Sequence, residues 1–109
     1  MESLPELEDH LTSFNDRVGK ITDKVNGVFN LSLKVPPVVL DEDLVPKYYN
    51  ASYSMFLKST HSYVLKCLDS LISSLVKTNI MAPTVAPIAF SWDLVDQYLT
   101  KVEDTISHY

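Results

Sequence analysis

The residue types most able to do chemistry here are three histidines, His10, His61 and His108, and one cysteine, Cys67. A zinc centre needs several His or Cys ligands at turn-compatible spacing. These histidines fall in three separate helical stretches, with neither a pairing His nor a Cys nearby in sequence, so they read as solvated or hydrogen-bonded side chains. A nucleophilic Cys67 would need a depressed pKa and a base at hand. Its place on an apolar stripe marks it instead as core filler. The only glycines, Gly19 and Gly27, lie inside or at the end of the first helix, which excludes a P-loop or a Rossmann turn. Asp41-Glu42-Asp43 carries enough charge for a cation but lacks the glycine turn and spaced ligands of a calcium loop. It reads as a solvated acidic patch or a docking surface for a basic partner. No catalytic, cofactor or metal site is expected.

The remaining enrichment is aromatic. Tyr48, Tyr49, Tyr53, Phe56 and Tyr63 crowd one stretch, and tyrosine recurs at interface hot spots because it buries much area at small entropic cost. Tyr53, Phe56 and Tyr63 are assigned to the core. Tyr48 and Tyr49, with Asp41, Glu42 and Asp43, are the candidate partner-binding residues.

The elements that carry these residues follow from periodicity. Leu4, Leu7, Leu11, Phe14, Val18, Ile21, Val25 and Val28 fall at alternating steps of three and four, which predicts a long amphipathic helix over about 4–28. Ser3 and Glu6 form a capping box at its start, and Asn26-Gly27 places its end between Asn26 and Asn30. Pro46 suits the first turn of a second helix over about 45–78, whose stripe through Tyr49, Tyr53, Phe56, Thr60, Tyr63 and Cys67 widens at Val64, Leu68, Leu71 and Leu75. Ser91 caps a third helix over about 92–108, with Val95, Tyr98 or Leu99, Val102 and Ile106 facing inward. The connections are unusual. Leu31, Leu33 and Val35 alternate with Ser32 and Lys34 before Pro36-Pro37, and the uncharged stretch from Thr78 to Trp92 contains Pro83 and Pro87. Bundle connections are normally short and polar. These are neither, so they should lie along the bundle or offer themselves to another chain.

The predicted fold is all-α: a single domain over 1–109, an antiparallel bundle of three principal helices, with a short extra turn allowed near Asp41 to Val45. A hydrophobic fraction of 46% and a charged fraction of 21% are ordinary for a packed protein. Net charge is −5, with the nine basic residues scattered along the chain, which disfavours nucleic acid and anionic bilayers as partners. One cysteine and no secretory signal point to a reducing compartment, cytoplasm or nucleus. The sequons at Asn30 and Asn50 then read as chance. The apolar seam still runs at Tyr109, which suggests the N-terminal part of a longer protein.

Charges flanking the first seam match poorly for a two-stranded coil, so its packing should be intramolecular rather than homodimeric. The function expected is that of a non-enzymatic scaffold or adaptor domain that docks another protein through a helical groove, an apolar linker or the acidic patch. The alternative is a small carrier or sensor that holds an apolar ligand inside the bundle, between the second helix and Pro83 to Phe90. Charge reversal at Glu42 and Asp43, or alanine at Tyr48 and Tyr49, is expected to weaken partner binding in a pull-down while circular dichroism shows unchanged helicity.

Overall fold

The computed structural model describes residues 1–40 and 53–109, and among these it holds three helices and no strand. They are α1 (Leu4–Phe29), α2 (Tyr53–Lys77) and α3 (Trp92–Ile106). The all-helical fold is as the apolar spacing predicts. The expected start of the second helix near Val45 and the extra turn near Asp41 lie outside the described residues.

Local signals set the helix ends. At the start of α1 the Glu6 amide donates to Ser3 Oγ at 3.3 Å and Ser3 Oγ donates to the Glu6 carboxylate at 3.0 Å. The helix runs through Gly27 and stops at Asn30, which takes the left-handed conformation at φ 53° and lets the Leu31 amide reach the Asn26 carbonyl. Asn79, at φ 61°, ends α2 in the same way, and both the Ile80 and Met81 amides then return to the Leu75 carbonyl. That turn tucks Ile80 and Met81 into the core. Ser91 caps α3 by accepting from the Leu94 amide.

The seam of α1 is buried from Leu7 to Val25, and it packs with Val64, Leu68, Leu71, Leu75 and the inward residues of α3 in one cluster. Packing of this seam is therefore within the chain. Tyr63 departs from its expected place in the core and is 59% exposed. The buried stripe of α2 centres on Leu57, Thr60, Val64, Leu68, Leu71 and Leu75, about 100° round the helix from Tyr63, which is left at the border.

The helices run parallel, which corrects the antiparallel arrangement expected from bundle habit. Along α1 and α3, His10 stacks on Trp92, Arg17 reaches Asp96, Thr100 and Glu103, and Phe29 meets Tyr109 edge-on. Along α1 and α2, Tyr53 and His61 both bond Glu2 at the N-terminal end, and Cys67 lies further up, level with Pro36. The physical reason is the length of the connections. A helix of 26 residues is about 39 Å long at 1.5 Å per residue, so a parallel neighbour needs about 12 extended residues to bring the chain back. The stretch 78–91 is long enough to do so, and the first return already has eleven described residues, 30–40.

The described part of each return lies along the bundle as a strap. In the first, residues 31–40, Leu31, Leu33, Val35, Val38 and Leu40 pack on the core, while Ser32, Lys34 and Val39 face outward. Two asparagines of α1 fix it. Asn26 donates to the Leu33 carbonyl at 3.0 Å and accepts from the Leu33 amide at 2.8 Å. Asn15 does the same for Val38, at 2.8 and 2.9 Å. The eleven-residue step between the asparagines and the five-residue step between their partners both span roughly 16 Å, one as helix and one as extended chain. The second strap passes back along α2, with Val85 to Ile88 beside Ser62, Leu65 and Asp69, and Phe90 on His61.

Removing either asparagine side chain leaves a buried-side amide and carbonyl without partners. Asn15→Ala and Asn26→Ala are each expected to lower stability by about 1–3 kcal/mol in urea denaturation, and to speed hydrogen exchange at the Val38 or Leu33 amide respectively.

Candidate interaction surface

Among the described residues eight large apolar side chains stand exposed, and five of them, Val39, Met55, Tyr63, Val85 and Ile88, lie on α2 or its two straps. The other three, Met1, Val28 and Tyr109, sit at the ends of the bundle. The outer strip of α2 between the straps is low, because Ser59, Ser62, Ser70 and Ser73 are exposed there. On one side a groove of about 370 Å³ runs between Tyr63, Cys67 and Pro36 to Val39 of the first strap. On the other, a groove of about 360 Å³ is lined by Ser62, Leu65, Lys66 and Asp69 of α2 and by Val85 to Ile88 of the second strap. Ile88 is 92% exposed. Exposed apolar side chains gathered on one side of a molecule, here along the two edges of a polar strip, are a usual mark of a contact site.

The fold also gathers charge that is scattered in sequence. Lys34, Lys58, Lys66 and Lys77 belong to α2 and the described part of the first strap, 31–40, where Asp69 is the one acid. Lys66 Nζ sits 5.5 Å from the centre of the Tyr63 ring, which places a cation beside the most exposed aromatic of α2. The other two helices are acidic: α3 carries Asp93, Asp96, Glu103 and Asp104 against Lys101, and α1 carries Glu6, Glu8, Asp9, Asp16 and Asp23 against Arg17, Lys20 and Lys24. Arg17 is committed internally, with Nη1 2.5 Å from Asp96 and Nη2 2.6 Å from Glu103. The hydrogen bonds it donates to Glu103 and Asp96 hold its guanidinium still more firmly protonated than usual.

Of the residues singled out from sequence, Asp41, Glu42, Asp43, Tyr48 and Tyr49 lie outside the described residues. Tyr53 is half-buried and donates its hydroxyl to the Glu2 carbonyl at 2.9 Å. Phe56 is in the core. Cys67 is buried with its Sγ toward the Pro36 carbonyl, and burial pushes its thiol up to about 11. A thiol so raised is a poor nucleophile at neutral pH.

The histidines separate into a pair and a single. His10 and His61 meet at the N-terminal end of the bundle on one carboxylate, Glu2, which accepts from His10 Nδ1, from His61 Nε2 at 2.9 Å and from Trp92 Nε1 at 2.8 Å. Their rings are held in place by stacking, His61 on Phe90 at 3.9 Å and 6°, His10 on Trp92 at 4.7 Å. His108 is exposed at the far end. Each histidine nitrogen that points inward is taken up by Glu2, and among the described residues no three His, Cys, Asp or Glu are placed to hold a metal. Sequence reasoning missed Glu2 altogether, since a carboxylate just before a helix cap looks like an ordinary first-turn acid.

Burial pushes the Glu2 carboxyl up. Hydrogen bonds from His61, His10 and Trp92, with the electrostatic pull of His61, more than reverse this and hold it below its ordinary value of 4.5. A carboxylate depressed in the folded state contributes stability that is complete above its unfolded pKa and lost as pH falls through the folded one.

No family model, curated protein or solved structure matches this chain.

Two measurements check this geometry. The urea midpoint of the native sequence is expected to exceed that of Glu2→Gln above pH 4.5, and the gap is expected to shrink steadily as pH falls below that value. Cys67 is expected to react with a maleimide at pH 7 far more slowly in the folded protein than in urea, and equal rates would place its thiol at the surface.

Proposed function

We propose that this chain is a non-enzymatic protein-interaction module, a scaffold or adaptor subunit of a larger assembly in a reducing compartment. The observation that carries the reading is the concentration of exposed apolar side chains on α2 and its straps, between two grooves. Solvent gains nothing from Tyr63, Val85 and Ile88. Covering Val85 and Ile88 would return roughly 1.5–3 kcal/mol each, set against the entropic cost of association, and aromatic and aliphatic anchors of this kind are what interface hot spots are built from. The helices supply rigidity and the straps supply the contact edges. No bond is made or broken in this role, and the two reactive groups described, Glu2 and Cys67, are respectively taken up by three donors and held as the thiol.

The second reading, a carrier of an apolar ligand, rests on the groove formed by Leu65 and Val85 to Ile88. Native mass spectrometry of the isolated protein separates the two, because a carrier retains a small molecule and an adaptor does not.

The adaptor reading is tested by affinity isolation from native extract. The paired change Val85→Ser and Ile88→Ser is expected to leave the unfolding free energy in urea within about 0.5 kcal/mol of the native value, since both side chains are exposed, while the co-isolated partner is lost. Retention of every co-isolated protein by that variant would count against the reading.

A further inference from the structure

The outer side of α2 unites two features that point to one kind of occupant. It is the apolar side of the molecule and, in a chain of net charge −5, it is the basic side. Lys58, Lys66 and Lys77 follow α2, Lys34 faces outward from the first strap, and among the described residues of these two elements Asp69 is the one acid. The second strap is uncharged. A basic or neutral helix laid here would fill the grooves but leave the lysines facing their own kind or nothing. An acidic segment with apolar side chains satisfies both features.

We propose that the α2 face binds an acidic amphipathic segment of another protein, whose apolar side chains enter the grooves beside Tyr63 and Ile88 and whose carboxylates meet Lys58 and Lys66. The inference rests on the adaptor reading and gives it a surface and a partner chemistry. A second copy of this chain is a poorer occupant. Its acidic helices α1 and α3 match the charge, but among the described residues the large apolar side chains exposed outside the α2 side, Met1, Val28 and Tyr109, lie at the ends of the bundle and offer nothing along its length to fill the grooves. Nucleic acid is poorer still, because four lysines opposite two acidic helices recover little of the counterion release that such binding needs.

The test places a photo-crosslinking residue in the full chain, in native extract, by Tyr63→p-benzoylphenylalanine, with Gln97→p-benzoylphenylalanine on exposed α3 as the comparison. The expected adduct at Tyr63 is with a foreign polypeptide segment in which Asp and Glu outnumber Lys and Arg and apolar residues recur at helical spacing. A synthetic peptide of that segment is then titrated against the purified protein. Its Kd is expected to rise about tenfold between about 50 and about 300 mM salt, and about tenfold again in the double variant Lys58→Glu, Lys66→Glu, with helicity unchanged. A basic or neutral segment at Tyr63, a second copy of this chain, a nucleic acid, or adducts confined to Gln97 would overturn the inference and leave the adaptor reading standing. So would a peptide whose Kd ignores both salt and the lysine changes. Absence of any adduct at either position would overturn both.

Discussion

A chain whose helices all point the same way must carry its connections back along the bundle, and those connections arrive with polar backbones that the apolar surface beneath cannot satisfy. Here the conflict is met by side-chain amides. An asparagine offers one acceptor and two donors in a plane, so a single residue on α1 can close both the N–H and the C=O of one strap residue, much as a neighbouring strand would. Asn15 and Asn26 do this at two levels, and the strap is thereby pinned in position and direction. Leu33 and Val38 can then keep their side chains on the core without leaving their backbone groups unpaired. The groove beside Tyr63 exists because this strap is held where it is.

The N-terminal end of the bundle depends on a second polar device. Glu2 precedes α1, yet its carboxylate joins His10 of α1, His61 of α2 and Trp92 of α3. A half-buried carboxylate with three donors is far less costly than one with none, and the two histidine rings that donate to it are themselves stacked on aromatic neighbours. Further up, Arg17 spans to Asp96 and Glu103 and sets the register of α3 against α1. These contacts hold the helices in one mutual alignment, where an apolar core by itself would tolerate sliding.

The helices were legible in the sequence because their information is local. The seam from Leu7 to Val25, the capping box at Ser3 and the cap at Ser91 each act within one or two turns. The alternation of Leu31, Leu33 and Val35 likewise declared a strap with one buried side. Helix direction was not legible in that way, although the long proline-bearing connections carried the signal: an antiparallel neighbour needs only a short turn, and this chain spends far more. Tyr63 was misplaced because a stripe read by eye at steps of three and four has two edges, and only the position of the neighbouring helices tells which edge is wet. The basic side of α2 was hidden for a related reason. Lys34, Lys58, Lys66 and Lys77 are distant in sequence, and the fold brings them to one side.

Parallel alignment has an electrical consequence. In an up-and-down bundle the peptide dipoles of neighbouring helices oppose one another and largely cancel, whereas those of α1, α2 and α3 add. One pole gathers the positive ends of the three dipoles, and Glu2 places a negative charge there. The other gathers carbonyls, with Lys77 as the only basic residue in the last turn of any of the three helices. Any rod-like guest that lies along this bundle meets a surface with a built-in polarity, and the lower-energy orientation for a helical guest is head to tail against its host.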